Sequence, residues 1–263
     1  MKKQSASLLS VILFILGVAC KKQALNNDPQ PETPIENTSK KKLLPVELKS
    51  TSTTLKLEYK AGTAMLTRIV HSDKSQVLIT YAAKYYRVEQ FRNDAVYHYA
   101  DFLLTDGKAS KLHSFDSFGN VDVPAGHSVF QYSPDGQLIN IKNYNVANEF
   151  IQERKLSYSA AGNLASIESV DKQNKSSLSE YTCDTKNSIF KNVVYSRILF
   201  LELPYNFFCP DANNWLSYKN KLDPAKNIAY SYEYNAQDYP SKITIDGPNG
   251  KETFSISYQE LSQ

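Results

Sequence analysis

Hydrophobic and polar positions alternate with a period of two over many short stretches of this chain, which predicts β-strands rather than helices. Phe130-Gln131-Tyr132 and Tyr230-Ser231-Tyr232-Glu233-Tyr234 are two of them. Turn residues follow, as in Ser133-Pro134-Asp135-Gly136 after the first and Ser159-Ala160-Ala161-Gly162 after Tyr158. Proline presets φ early in such a turn, and glycine supplies the positive φ that closes it. Asn249-Gly250 is a further hairpin signal.

These hairpins repeat. With an aromatic as position zero, a turn residue falls at plus four and apolar residues at plus six and plus nine. Tyr132 is followed by Gly136, Leu138 and Ile141, and Tyr158 by Gly162, Leu164 and Ile167. Tyr234 leads to Asp238, Pro240 and Ile243, and Phe115 to Gly119 and Val121. Cys183 fills an aromatic slot before Asn187 and Ile189, and Tyr99 fits if its turn is longer, reaching Gly107, Ala109 and Leu112. Tyr59 and Tyr81 resemble frayed copies. The predicted fold is all-β: a long, twisted and curved antiparallel meander sheet of repeated hairpins.

Between Cys183 and Tyr234 the period doubles, so an insert over about residues 193–226 replaces one unit. It holds Tyr195, Phe200, Tyr205, Phe207, Phe208, Trp215 and Tyr218, broken by Pro204 and Pro210. Residues 213–222 fit a short helix with Asn213 or Asn214 near its cap. Two readings follow. The insert is a lid over the concave side of the sheet, or Tyr205, Trp215 and Tyr218 form a platform on which sugar rings stack.

Phe115-Asp116-Ser117-Phe118-Gly119-Asn120-Val121 resembles the YD-repeat pattern of aromatic, Asp, two variable residues, Gly, polar, apolar. The units at Tyr132, Tyr158 and Tyr234 keep the spacing with Ser or Asn in the Asp slot. With the N-terminal signal described next, the chain is similar to a family of uncharacterised, YD-repeat-like lipoproteins of Gram-negative bacteria. The resemblance covers roughly residues 55–260. It implies antiparallel sheet geometry, some YD-repeat proteins being linked to carbohydrate binding or toxin encapsulation, with too few units here to enclose a cargo, and it brings no catalytic residues.

The N-terminus departs from the β pattern. Lys2 and Lys3 precede an apolar run over residues 8–19, too short for the twenty or so residues that span a bilayer. A basic flank, a short core and small residues before the cut mark a cleaved signal over residues 1–19. Leu16-Gly17-Val18-Ala19-Cys20 resembles a lipobox, which implies lipidation of Cys20 and a membrane partner through the lipid anchor. That places the chain in the cell envelope, with the outer membrane favoured and the leaflet open. Residues 20–52, with Pro29, Pro31, Pro34, Pro45 and Lys40-Lys41-Lys42, read as a flexible tether too poor in apolar residues to fold. Residues 53–263 are then one β domain.

Charge narrows the partners. Of 30 basic residues two lie in the signal, leaving 28 against 27 acidic ones. A near-neutral chain lacks the basic excess that nucleic-acid binding requires. Eighteen Tyr and twelve Phe against one Trp suit half-buried pleated surfaces. With Cys20 acylated, Cys183 and Cys209 remain. In an oxidising compartment they either form a disulfide, contributing on the order of 3 kcal/mol, or sit as two unpaired buried residues.

Candidate chemistry is sparse. His71, His98, His113 and His127 lack zinc-site spacing, Gly126-His127-Ser128 lacks the frame of a nucleophile elbow, and Gly250-Lys251-Glu252-Thr253 is better read as a hairpin than a phosphate loop. Asp135 and Asp184 lie beside turns. No catalytic residue, cofactor or metal is expected. The leading functional expectation is a non-enzymatic envelope lipoprotein that binds a glycan or protein. A structural component docking a partner is the alternative, and a glycan hydrolase built on paired carboxylates comes third.

Overall fold

The structure, a computed structural model, describes residues 42–119, 121–197, 199, 203 and 212–261. Its strands are β1 (Leu43–Lys49), β2 (Thr54–Tyr59), β3 (Leu66–His71), β4 (Gln76–Tyr81), β5 (Tyr85–Arg92), β6 (Ala95–Thr105), β7 (Lys108–Phe118) and β8 (Val121–Tyr132). They continue as β9 (Leu138–Tyr144), β10 (Phe150–Tyr158), β11 (Leu164–Asp171), β12 (Ser176–Cys183), β13 (Trp215–Asn220), β14 (Ile228–Tyr234), β15 (Pro240–Gly247) and β16 (Gly250–Glu260). Each pairs antiparallel with its sequence neighbours, and β16 returns to pair with β1. The meander is as expected, but the sheet is not open. It closes into a barrel, which removes both edges.

The closing strand corrects a boundary. Residues 43–49, read from sequence as tether, form β1, with Leu43, Leu44 and Leu48 buried. Pro45 is tolerated because the β1–β16 register shifts between Pro45 and Glu47. A second correction concerns residues 213–222. Trp215–Asn220 is strand β13, paired with β12 and β14, because ladder partners on both sides outweigh a local helical spacing.

Side-chain alternation sorts the wall into an apolar inside and a charged outside. Leu55, Leu57, Val77, Ile79, Tyr86, Val88, Phe102, Leu112, Ile141, Ile243 and Ile256 belong to one buried cluster. The residues between them point outward and pair across strands. Arg87 holds Asp101 through two bonds of 2.7 and 2.8 Å, Lys242 meets Glu233 at 2.9 Å, and Lys142 meets Glu153 at 3.5 Å. A barrel that spans a bilayer needs the opposite arrangement, since one Lys or Arg on the lipid face at mid-depth costs about 2–4 kcal/mol. The described exterior carries charged pairs across its strands.

The repeat is real in the backbone. Tyr59, Tyr132, Tyr158, Cys183 and Tyr234 each follow a register shift and each face the buried first residue of the next strand: Leu66, Leu138, Leu164, Trp215 and Pro240. In the β6–β7 hairpin that slot is Leu104, opposite Ala109, so Tyr99 is not its anchor. Phe115 is also out of phase, since its turn at Gly119 lies at the opposite end of the barrel from those after Tyr132 and Tyr158. The stretch closest to the YD pattern is therefore the one that departs from the structural phase.

The tyrosines recur for a hydrogen-bonding reason. At the end of the barrel carrying the 133–137 turn, neighbouring hairpins diverge and their backbone ladders stop short. Tyrosine hydroxyls bridge the gap. Tyr59 donates to the Pro45 carbonyl at 2.8 Å, Tyr81 to Leu66 at 2.9 Å, Tyr132 to Ala109 at 2.8 Å, Tyr158 to Leu138 at 2.7 Å and Tyr232 to Trp215 at 2.7 Å. Each such bond contributes about 1 kcal/mol net. Burial, with Tyr158 adding to it, pushes the Tyr132 hydroxyl up to about 12, and burial pushes Tyr59 and Tyr81 higher still.

A folded-state pKa above the unfolded value near 10 gives stability that is complete below pH ~10 and lost as pH rises through the folded value. We expect sheet circular dichroism to collapse in one step between about pH 10 and 12, together with a delayed rise of tyrosinate absorbance. Titration of all tyrosines near 10 with the fold intact would contradict the bridging role.

Candidate functional site

The turns 60–65, 106–107, 133–137, 159–163 and 235–239 share one end of the barrel with the first residue of β1. The described residues between β12 and β13, 184–197, 199, 203 and 212–214, lie at that end too. The connection thus starts earlier than the expected insert at 193 and ends before β13. Val194 donates its N–H to the Ala64 carbonyl at 3.0 Å, and Asn187 to that of Asp238 at 3.0 Å. Asn192 Nδ2 reaches the Leu43 carbonyl and the Tyr239 hydroxyl, both at 2.8 Å. Ile189, Phe190, Val193, Leu199 and Leu203 are buried with the barrel core.

Polar side chains fasten the two ends of this connection. Asp184 accepts from the Asn214 N–H at 3.0 Å, from Asn214 Nδ2 at 3.1 Å and from the Tyr234 hydroxyl. Asn213 pairs with Asn163 of the 159–163 turn, Nδ2 of Asn163 donating to Oδ1 of Asn213 at 2.8 Å. The two asparagines expected at a helix cap thus hold a strand entrance. Asp184, expected only beside a turn, is a hub. Burial first, then Asp184, holds the Tyr234 hydroxyl well above its usual range.

A cavity of about 440 Å³ opens here. Gly107, Lys108 and Ala109 line it from the β6–β7 hairpin, Tyr132, Gly136 and Leu138 from β8–β9, and Lys191, Tyr195, Ser196, Arg197 and Ala212 from the connection. Tyr195 is the anchor of this arrangement. Its ring lies 5.0 Å from that of Tyr86 and 6.1 Å from that of Tyr81, and Tyr86 continues the stack to Phe102 at 4.5 Å. Its backbone has φ +60°, a left-handed conformation that costs an aromatic residue about 1–3 kcal/mol. The ring stacking offsets that cost and fixes the phenol at the cavity wall.

The other lining groups are cationic. Lys108 Nζ sits 5.6 Å from the centre of the Tyr132 ring, and the Arg197 guanidinium 5.6 Å from that of Tyr158. Lys191 Nζ donates to Asn187 Oδ1 at 2.8 Å. Gly136 has φ +88°, and a Cβ there would fall 2.9 Å from Lys108 Nζ. The glycine therefore serves both the turn and the position of the lysine.

Of the residues chosen from sequence, Trp215 and Tyr218 are not among the described lining of this cavity. Trp215 is 7% exposed, a core residue with its ring 4.8 Å from that of Tyr181, so its face is not open to a sugar. Tyr218 is half-buried on β13, and its hydroxyl accepts from Ser179 Oγ at 3.3 Å. Tyr205 and Cys209 lie outside the described residues, as does Cys20, so neither the disulfide expectation nor lipidation meets a described pair. Cys183 packs partly buried against the core. The cavity draws instead on Tyr132, which sequence marked only as a repeat anchor, on Tyr195, which it marked only as one of the insert's aromatics, and on Lys108, Lys191 and Arg197, which carry no local signal.

No protein-family model matches the chain, and neither does any curated protein. Solved structures that resemble the fold include two porin-like proteins. A porin-like protein from Bacteroides uniformis is 13% identical with a TM-score of 0.56, the match covering 82% of this chain and 96% of that one. A porin-like protein from Bacteroides vulgatus is 13% identical with a TM-score of 0.53, over 83% of this chain and 99% of that one. At that identity the likeness is one of fold.

Proposed function

We propose that this chain is a lipid-anchored, non-enzymatic binding module of the cell envelope. Its barrel stands in water, and the described residues of the β12–β13 connection, 184–197 and 212–214, act as a lid over one mouth where a glycan binds. The carrying observation is the cavity between the lid and two hairpins, with Tyr195 fixed at its wall by the Tyr81–Tyr86 stack. Pockets of this size with a few placed polar groups are the usual form of a small-ligand site. Its described lining offers phenols and cations rather than the converging carboxylates of a glycan hydrolase. The lipobox-like Leu16–Cys20 stretch supports the anchor, with the outer membrane as the favoured address. The charged exterior supports a module held at a membrane over one inserted in it.

A glycan array probed with the full chain tests this reading. We expect retention on a defined subset of glycans, and loss of it in Ser196→Trp, whose side chain fills the cavity while leaving the barrel core untouched. Equal retention by the variant would overturn the cavity as the site. A second reading, docking of an envelope protein, is favoured by apolar side chains on two hairpin tips at the opposite end. Phe118, Val121 and Val123 on one and Val146, Phe150 and Ile151 on the other are exposed, where monomers seldom leave contiguous apolar surface. An array that retains nothing shifts the weight to that surface.

A further inference from the structure

Resting on the glycan reading above, we infer that the ligand of this mouth is an acidic glycan, its anionic group held between Lys108 and Lys191 and a sugar face laid on Tyr195. Positive charge is concentrated in the cavity lining, although Asp106, Asp135, Asp184 and Asp238 stand elsewhere on the same rim. The chain outside its signal is near neutral, with 28 basic against 27 acidic residues, yet the described lining holds Lys108, Lys191 and Arg197 and no carboxylate. The three cations arrive from two separate parts of the chain, a hairpin and the lid, so the lid brings charge as well as cover.

The positions are held. Lys108 lies along the Tyr132 ring and over Gly136, where any side chain would displace its ammonium. Lys191 is oriented by Asn187, and Arg197 Nη2 reaches the Gly162 carbonyl at 3.4 Å from its seat on Tyr158. Asp135, in the same turn as Gly136, is turned to Ser133, whose hydrogen bond is the main cause of its lowered pKa, with Lys108 a lesser one. A neutral sugar has no use for the ammonium groups of this lining, which must lose part of their hydration to meet it. A carboxylate or sulfate replaces that hydration with charge-assisted hydrogen bonds.

The test measures binding of three probes to the full chain at low and high salt: oligogalacturonate, its neutral methyl ester of equal length, and a sulfated heparin oligosaccharide. We expect at least one acidic probe to bind, the ester to bind roughly tenfold or more weakly, and salt to weaken only the acidic complexes. Comparison of the two acids identifies carboxylate or sulfate as the preferred group. Lys108→Met with Lys191→Met is expected to lower acidic binding by a similar factor, with an unchanged melting temperature because both side chains are exposed. Equal binding of ester and acid, or full acidic binding by the double variant, overturns the acidic-ligand inference and leaves the glycan reading standing. Binding of no glycan, acidic or neutral, overturns both.

Discussion

A chain begun at Thr53 is expected to lose the cooperative unfolding transition and to self-associate, whereas a chain begun at Lys42 keeps the fold. The shorter chain lacks β1, which the sequence pattern alone would have discarded as tether. Three leucines would leave the core, Leu43, Leu44 and Leu48, each worth about 1.5–3 kcal/mol when fully buried. That sum is comparable with the whole stability of an ordinary domain. The loss also strips partners from β2 and β16, leaving two long unpaired edges that template association. Urea unfolding and size-exclusion chromatography of the two chains decide the matter. A monomeric Thr53 chain with an unaltered midpoint would show that the closure is dispensable.

Trp215→Ala is expected to destabilise the barrel by about 3–5 kcal/mol, the range for emptying a buried aromatic site. Trp215 is enclosed by Tyr181 and Tyr230, and its own carbonyl receives the Tyr232 hydroxyl. The variant removes the ring while keeping the carbonyl, so the loss reports packing alone. The midpoint of urea unfolding should fall at constant slope. A ligand-binding defect without a stability change would instead return Trp215 to the role of an exposed platform.

Sequence carried the hairpins well and their closure poorly, for identifiable reasons. Gly136 and Gly162 announce their turns because only a positive φ closes them, and both carry it. The Tyr132, Tyr158 and Tyr234 spacing survives because each residue sits at the same point beside a register shift. Phe115 mimics that spacing at the other end of the barrel, since an aromatic four residues before a glycine says nothing about which end the turn occupies. β1 was hidden by Pro45 and by the preceding lysines. The cavity was hidden more completely. Lys108, Tyr132 and Tyr195 converge only after the barrel closes, and the φ of Tyr195 leaves no trace in composition.

The register opposite Cys183 has a consequence for how such a barrel diversifies. Cys183 faces Trp215 as Tyr132 faces Leu138, although roughly thirty residues intervene in the first case and five in the second. Lengthening a closed loop that much costs only about 1.6 kcal/mol of chain entropy, and the strand register on either side of the excursion is kept. An insertion between paired strands can therefore carry a recognition segment while the staves stay in place.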